Sequence, residues 1–192
     1  MSKLSIKRLL CAILALLCVP GAWAAINQEN SLKFQGGMAV PLVGDLEDVA
    51  GPGFMIGGQW LHEVAPEFDV GADLDFIFFG EEEVNGVDVE VSVVALQAIG
   101  RFNINTLGNS EPYFLGGFGV ANTELDANVA VGPFGTTASD DDTSLTFTVG
   151  GGFDVPFGNI ALGLAAQYQH FMFDIGDVDS GGALELLGHI RF

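Results

Sequence analysis

Basic residues, histidines and cysteines are scarce in this chain of 192 residues. Six lysines and arginines stand against 25 aspartates and glutamates, the opposite of the balance that contacts to nucleic-acid phosphates require. Both cysteines, Cys11 and Cys18, fall near the N-terminus and give no disulfide framework to the rest of the chain. The three histidines are scattered and lack the spacing of a zinc site. The composition argues against a nucleic-acid binder, a disulfide-stapled domain and a zinc centre, and we expect no cofactor.

An apolar run from Leu9 to Val19 lies close to the N-terminus. Three basic residues precede it and the small-x-small sequence Ala22-Trp23-Ala24 follows, as in a secretory signal peptide. We expect cleavage after Ala24, so that residues 1–24 are the signal peptide and 25–192 one mature domain. The alternatives are an uncleaved anchor, for which the run is short, and lipoprotein processing at Cys18. Cleavage removes three of the six basic residues and no acidic ones, which leaves 3 minus 25, a net charge of −22.

Eight segments of alternating hydrophobicity fill the rest of the chain. They are separated by connections that are alternately long and acidic, then short, and each segment has the period of a β-strand. The long connections span 42–52, 80–90, 122–143 and 172–182. The segments are Leu32–Pro41, Gly53–Leu61, Phe68–Phe79, Val91–Asn103, Pro112–Ala121, Ser144–Val155, Ile160–Phe171 and Ala183–Phe192.

The two faces of these segments differ in a way that favours a membrane barrel. In the third segment, large apolar residues from Phe68 to Phe78 share one face, while Asp69, Gly71, Asp73 and Asp75 share the other. A soluble barrel would turn its apolar face inward, whereas long apolar stripes opposite small or polar faces suit the reverse arrangement. The predicted fold class is all-β, an eight-stranded antiparallel up-and-down transmembrane β-barrel. The fifth segment stays ambiguous, because Tyr113 and Phe114 lie on opposite faces and each face carries large apolar residues.

The inward-facing polar residues should form a hydrogen-bonded core, since eight strands enclose an interior that side chains can fill. If Phe79 pairs with Val91, then Asp69 faces Arg101 and Asp73 faces Gln97. The Asp69–Arg101 pair would fix the strand register, or alternatively act as an ion gate. The full set predicted for the lumen is Asp69, Asp73, Gln97, Arg101, Gln167, Gln169, Glu185, His189 and Arg191.

Aromatic residues gather at the ends of the segments, as in the girdles of membrane barrels. At the end joined by short turns the predicted girdle is Trp60, Phe68, Phe102, Tyr113, Phe153 and Phe192. At the opposite end it is Phe54, Phe78, Phe79, Tyr168 and Phe171.

Acidic residues concentrate in the long connections. Carboxylates are hard ligands for calcium or magnesium, and divalent ions could bridge this rim to lipopolysaccharide phosphates. The alternative is a solvated, self-repelling surface. The weak candidates for divalent-cation binding are Asp140, Asp141, Asp142, Asp174, Asp177 and Asp179.

The last segment, ALELLGHIRF, alternates strictly and ends on Phe192, and the chain also contains PYFLGGFG and GGGFDVPFGNIALGLAAQYQHF. With these features it resembles the OmpA-like and OmpX-like outer-membrane barrels of the porin family, without the peptidoglycan-binding domain of larger members. The resemblance implies a location in the bacterial outer membrane, with membrane lipid and lipopolysaccharide as partners. It also implies that Phe192 is the signal that the barrel-assembly machinery recognises.

The expected role is structural, in envelope integrity or in surface interaction through the acidic loops. A narrow channel or a carrier for small solutes is the alternative. A lipid A-modifying enzyme is less favoured, because lipid A deacylase barrels carry His-x-Ser on a late strand. Here Phe171 and Met172 follow His170, so that serine is missing. We therefore expect no enzymatic activity.

Overall fold

In this computed structural model, residues 30–84, 87–104, 110–131, 134–173 and 180–192 are described. The signal-peptide prediction falls on residues outside these ranges. In chain order the elements are β1 Asn30–Gly44, α1 Leu46–Val49, β2 Gly51–Ala65, β3 Phe68–Gly80, β4 Glu82–Val84, β5 Val87–Asn103, β6 Glu111–Val131, β7 Phe134–Phe157, β8 Ile160–Met172 and β9 Gly181–Arg191. Among these described residues, no helix is both long and apolar enough to cross a membrane.

Every long strand pairs antiparallel with its neighbours, and the sheet closes on itself. The order around the wall is β1, β2, β3, β5, β6, β7, β8 and β9, and β9 pairs back onto β1 from Lys33↔Arg191 to Gly44↔Gly181. These eight long strands form an up-and-down barrel, and the short β4 pairs with residues 87–89 of β5. The predicted fold class is confirmed.

The side-chain distribution is inverted relative to a soluble protein. Phe118 and Phe114 are 71% and 62% exposed on the outer face, whereas Glu185 and Gln169 on the inner face are fully buried. Tyr113 is buried inside, so the ambiguous fifth segment turns its phenylalanines outward. An apolar exterior around a polar interior fits hydrocarbon rather than water outside the wall.

Short turns join the strands at one end of the barrel. Two of them are Pro66-Glu67 and Gly158-Asn159, and Gly158 adopts a φ of 66° that suits glycine. The sequence predicts a further short turn at 105–110, of which 105–109 lie outside the described residues. Both ends of the barrel sequence meet at this rim, where Phe192 donates its backbone N–H to Leu32 O over 2.9 Å.

At the other end, strands continue where loops were predicted. The segment 122–143 is not a loop: β6 and β7 pair without a break as far as Val131↔Phe134. The second predicted loop likewise contains β4 and the start of β5. The apolar alternation of the lipid band is absent from 122–143 in the sequence, while the backbone hydrogen bonds of β6 and β7 continue.

Apolar side chains fill the lumen at the end away from the short turns, and we call this part the apolar plug. Leu46 of α1 is fully buried and packs with inward side chains that include Met55, Ile77, Val91 and Phe171. Leu46 lies so close to Gly181 that a Cβ there would overlap it. Among the described residues, packed apolar side chains thus occupy the lumen at this end.

Candidate functional site

Asp154 of β7 is the centre of a charged cluster in the lumen near the short turns. Its carboxylate lies 2.8 Å from Arg101 Nη2, 2.5 Å from His189 Nε2 and 3.3 Å from Arg191 Nε. Asp154 is fully buried, and these contacts come from β5 and β9, the strands that lie two positions from β7 on either side. We call Asp154, Arg101, His189, Arg191, Tyr113 and Lys33 the Asp154 cluster.

Arg101 is held from several sides. Its Nε donates to Asn103 Oδ1 over 2.7 Å, and its guanidinium carbon lies 3.9 Å from the centre of the Tyr113 ring. Lys33 Nζ donates to the Tyr113 hydroxyl over 3.3 Å. The cluster therefore fills the lumen with stacked and hydrogen-bonded groups at this level.

The predicted Asp69–Arg101 pair is only partly correct. The two residues are direct cross-strand partners, as the register required, but Asp69 Oδ2 is 3.9 Å from Arg101 Nε. Asp69 instead accepts a hydrogen bond from Asn103 Nδ2 at 3.0 Å. The long arginine side chain turns away from Asp69 on β3 and reaches Asp154 on β7, two strands away on the other side of β5.

A belt of carboxylates and amides occupies the middle of the lumen. Gln59 donates to Asp73 Oδ2 over 2.8 Å, and Gln35 donates to Asp75 Oδ1 over 3.1 Å. On the other side, Gln167 Nε2 donates to Glu185 Oε2 over 2.5 Å. We call Gln35, Gln59, Asp73, Asp75, Gln167 and Glu185 the carboxylate–amide belt.

The three carboxylates of this belt have neutral partners. Among the described residues, no lysine or arginine lies within ion-pair distance of Asp73, Asp75 or Glu185. Gln97 is a direct cross-strand partner of Asp73, yet neither of its amide atoms has a hydrogen-bond partner in the described chain. The two residues are cross-strand partners, as predicted, but their side chains form no hydrogen bond with each other.

The remaining predicted lumen residues also face inward. Gln169 is fully buried and donates to Thr146 Oγ1 over 3.3 Å. Arg191 reaches the rim, where its Nη2 lies 2.9 Å from Glu111 Oε2. All nine residues predicted for the lumen thus lie inside the barrel wall, distributed over the Asp154 cluster, the belt and their borders.

Sequence reasoning missed Lys33, Gln35, Gln59 and the central role of Asp154. Parity could have found the first three, because Lys33 and Gln35 alternate with the apolar residues Leu32 and Phe34 in β1. Parity also puts Asp154 on the polar face of its strand. Its role depends on which side chains of the strands two positions away reach it, which a linear pattern does not contain.

Three predicted girdle aromatics are wrong. Tyr113, Phe79 and Phe171 are buried in the lumen. Each follows the inward parity of its strand, so proximity to a strand end is a weaker indicator than parity. Phe192 lies at the rim as expected, with its ring edge-on to Phe34 at 6.2 Å. Its role as an assembly signal stays a prediction.

Among the described residues, most acidic groups of the second and third predicted loops lie on strands, whereas those of the first lie in α1 and the turn before it. Asp140 and Asp141 are exposed on β7, and Asp141 directly faces Glu124 across the β6–β7 ladder. Directly opposed like charges destabilise a sheet slightly. In the described part of the chain, no three His, Cys, Asp or Glu side chains are placed to hold a metal ion. Asp174, Asp177 and Asp179 lie outside the described residues, and divalent-cation binding stays a prediction.

A comparison with known protein families identifies the family of this chain. The family profile "Outer membrane protein beta-barrel domain" matches residues 9–186. The chain belongs to this outer-membrane β-barrel family. The short-turn end of the barrel is accordingly the periplasmic end, and the opposite end is extracellular. The predicted location in the bacterial outer membrane is confirmed.

Solved outer-membrane barrels share the fold at low identity. Neisserial surface protein A is 16% identical, with a TM-score of 0.56, and the match covers 84% of this chain and 95% of that one. Ail, the attachment invasion locus protein of Yersinia pestis, is 21% identical with a TM-score of 0.58, over 86% of this chain and 100% of that one. The outer-membrane enzyme PagL is 11% identical with a TM-score of 0.53, over 83% and 97%. No curated protein matches the sequence significantly.

Proposed function

We propose that this protein is a non-catalytic outer-membrane barrel with a filled lumen that acts at the cell surface through a projecting sheet. The observation that supports this proposal is that β6 and β7 extend beyond β8 at the extracellular end of the barrel. β7 pairs with β8 only from Leu145 onward, whereas it pairs with β6 up to Phe134. We call the part formed by Asn122–Val131 and Phe134–Ser144 the outer hairpin.

The outer hairpin offers a strand edge. β5 covers the β6 side as far as Asp88↔Asn128, but among the described residues no strand pairs with β7 between Phe134 and Ser144 on its other side. An unpaired edge is a template for an added strand of a partner protein. The Asp141 N–H donates a local hydrogen bond to Asp140 Oδ1 at 3.1 Å. A partner strand would replace this local hydrogen bond with one of its own.

Charge defines the partner's chemistry. The hairpin carries Asp140 and Asp141 exposed, with Glu124 beside them. A structure of Ail contains the heparin analogue sucrose octasulfate. Carboxylates repel sulfate, so the same ligand does not suit this rim. We propose a basic extended protein segment instead.

Two features support a passive lumen. The apolar plug closes the extracellular end, and the Asp154 cluster fills the periplasmic end. The lack of catalysis is also part of the proposal. His170 has Tyr168 Oη at 3.0 Å from its Nδ1, and Met172 occupies the position two residues on, where deacylase barrels have serine.

The test is a shortened hairpin. Replacing Leu125–Asp140 by Asn-Gly joins the cross-strand partners Glu124 and Asp141 through a two-residue turn. Bacteria displaying this variant should lose adhesion to immobilised basic matrix proteins, while the heat-dependent gel shift of the barrel persists. Asp140→Asn with Asp141→Asn should weaken adhesion in a salt-dependent manner. Equal adhesion by the shortened variant would refute the proposal.

A further inference from the structure

An apolar groove on the lipid-facing wall is centred on Gly58 of β2. Large side chains surround this glycine: Phe34 and Leu74 are its direct cross-strand partners, and Ile56 and Trp60 are its outward neighbours along the strand. The groove has a volume of about 470 Å³, within the range of small-molecule sites. We call this feature the Gly58 groove.

The groove exists because a side chain is missing. A Cβ at Gly58 would lie 3.7 Å from Lys33 O and 3.8 Å from the Phe34 ring, which is ordinary contact. The backbone therefore does not require glycine at this position. By contrast, a Cβ at the inward-facing Gly57 would collide with the Asp75 carboxylate.

The periplasmic end of the groove is polar. His62 follows Trp60 on the same outward face, and its ring stacks on the indole at 6.3 Å. His62 Nδ1 lies 3.1 Å from Asn30 Oδ1 on β1. Since a strand rises about 3.3 Å per residue, His62 is about 13 Å from Gly58 towards the periplasm. Apolar walls thus lead to a polar pair near the membrane–water interface.

We propose that the Gly58 groove binds one acyl chain of a phospholipid from the periplasmic leaflet, with the phosphate headgroup at His62 and Asn30. The surface faces the bilayer, so acyl chains are the molecules in contact with it. The polar pair lies at the end nearer the short periplasmic turns, which selects the leaflet. A shaped groove with a polar end is specific in a way that a smooth apolar wall is not.

Trp60 makes the groove directly observable. The chain has two tryptophans, and Trp23 lies in the predicted signal peptide, so Trp60 is the single tryptophan of residues 25–192 and can be excited selectively. The experiment refolds this mature chain in detergent micelles. It compares quenching of Trp60 by phosphatidylethanolamine with dibrominated chains against quenching by brominated dodecyl maltoside.

The wild type should show saturable quenching by the phospholipid at low mole fraction. Gly58→Leu should lower the affinity for phospholipid relative to detergent by about tenfold, because about two methylenes of the chain lose their contacts. Gly188→Leu is the matched control, since a Cβ there meets its nearest atom only at 4.0 Å and the residue lies outside the groove. Its relative affinity should equal the wild-type value.

His62→Ala tests the headgroup contact without filling the groove. It should reduce competition by unbrominated phosphatidylethanolamine and leave quenching by brominated detergent unchanged. Equal relative affinities for Gly58→Leu and Gly188→Leu would overturn the proposal. Competition by lipid A as strong as that by phosphatidylethanolamine would overturn the assignment to the periplasmic leaflet.

Discussion

Replacing Asp154 by asparagine should destabilise the barrel far more than the same change at Asp69. Asp154 lies within 3.3 Å of both Arg101 and Arg191 and is fully buried. Asp154→Asn keeps the shape and removes the charge, so Arg101 loses its close buried carboxylate, and Arg191 keeps only Glu111 of its two. Removing one partner of a buried pair costs about 3–5 kcal/mol.

Asp69 provides the contrast. Its carboxylate is 3.9 Å from Arg101, and its hydrogen bond comes from the neutral Asn103 amide. We expect Asp69→Asn to lower the free energy of unfolding by about 1 kcal/mol, the size of one ordinary hydrogen bond. The double variant Asp154→Leu with Arg101→Met should recover part of the loss of Asp154→Leu alone, because the arginine charge is removed with its partner.

Reversible urea unfolding in phospholipid vesicles measures these differences, with Trp60 fluorescence as the probe and linear extrapolation to water. The order of the two single variants is the decisive result. If Asp69→Asn costs as much as Asp154→Asn, Arg101 is paired with Asp69 and the described geometry of the cluster is wrong.

Further predictions concern the belt, the plug and the chain end. Glu185→Gln should leave the free energy of unfolding unchanged or higher, because among the described residues the neutral Gln167 amide is the hydrogen-bond partner of Glu185 and no basic group is near, and urea titration checks this. Leu46→Asp should place a charge in the apolar plug and lower the unfolding temperature, whereas Glu47→Gln on the exposed side of α1 should not. Deletion of Phe192 should reduce the amount of folded barrel in outer-membrane fractions, and unchanged levels would remove its role as an assembly signal. Unheated protein should migrate differently from boiled protein on a denaturing gel, as a closed barrel resists detergent.

Much of the barrel could be predicted because the bilayer imposes a strict pattern. Alternation assigned the faces of β3, and one assumed pair gave the Asp69↔Arg101 and Asp73↔Gln97 register found in the structure. Outward and inward positions differ so strongly in polarity that a shift by one residue would be visible in the sequence.

The features that the sequence did not predict lie where the alternation imposed by the bilayer gives no information. Above the membrane band the outward positions of β6 and β7 no longer face hydrocarbon, so the apolar alternation ends and a paired hairpin looked like a loop. Inside the lumen, contacts between strands that are not direct neighbours depend on side-chain length and direction, which is why Arg101 on β5 reaches Asp154 on β7 instead of its cross-strand partner Asp69. Aromatic residues near strand ends, such as Tyr113, follow parity rather than position.

Single-channel recording in planar lipid bilayers tests the filled lumen most directly. The wild-type barrel should give no reproducible conductance steps, because the apolar plug around Leu46 and the Asp154 cluster block it at both ends. Asp154→Asn alone should also remain silent, since the plug stays intact. Regular ohmic steps from the wild type would contradict the account and establish the protein as a channel.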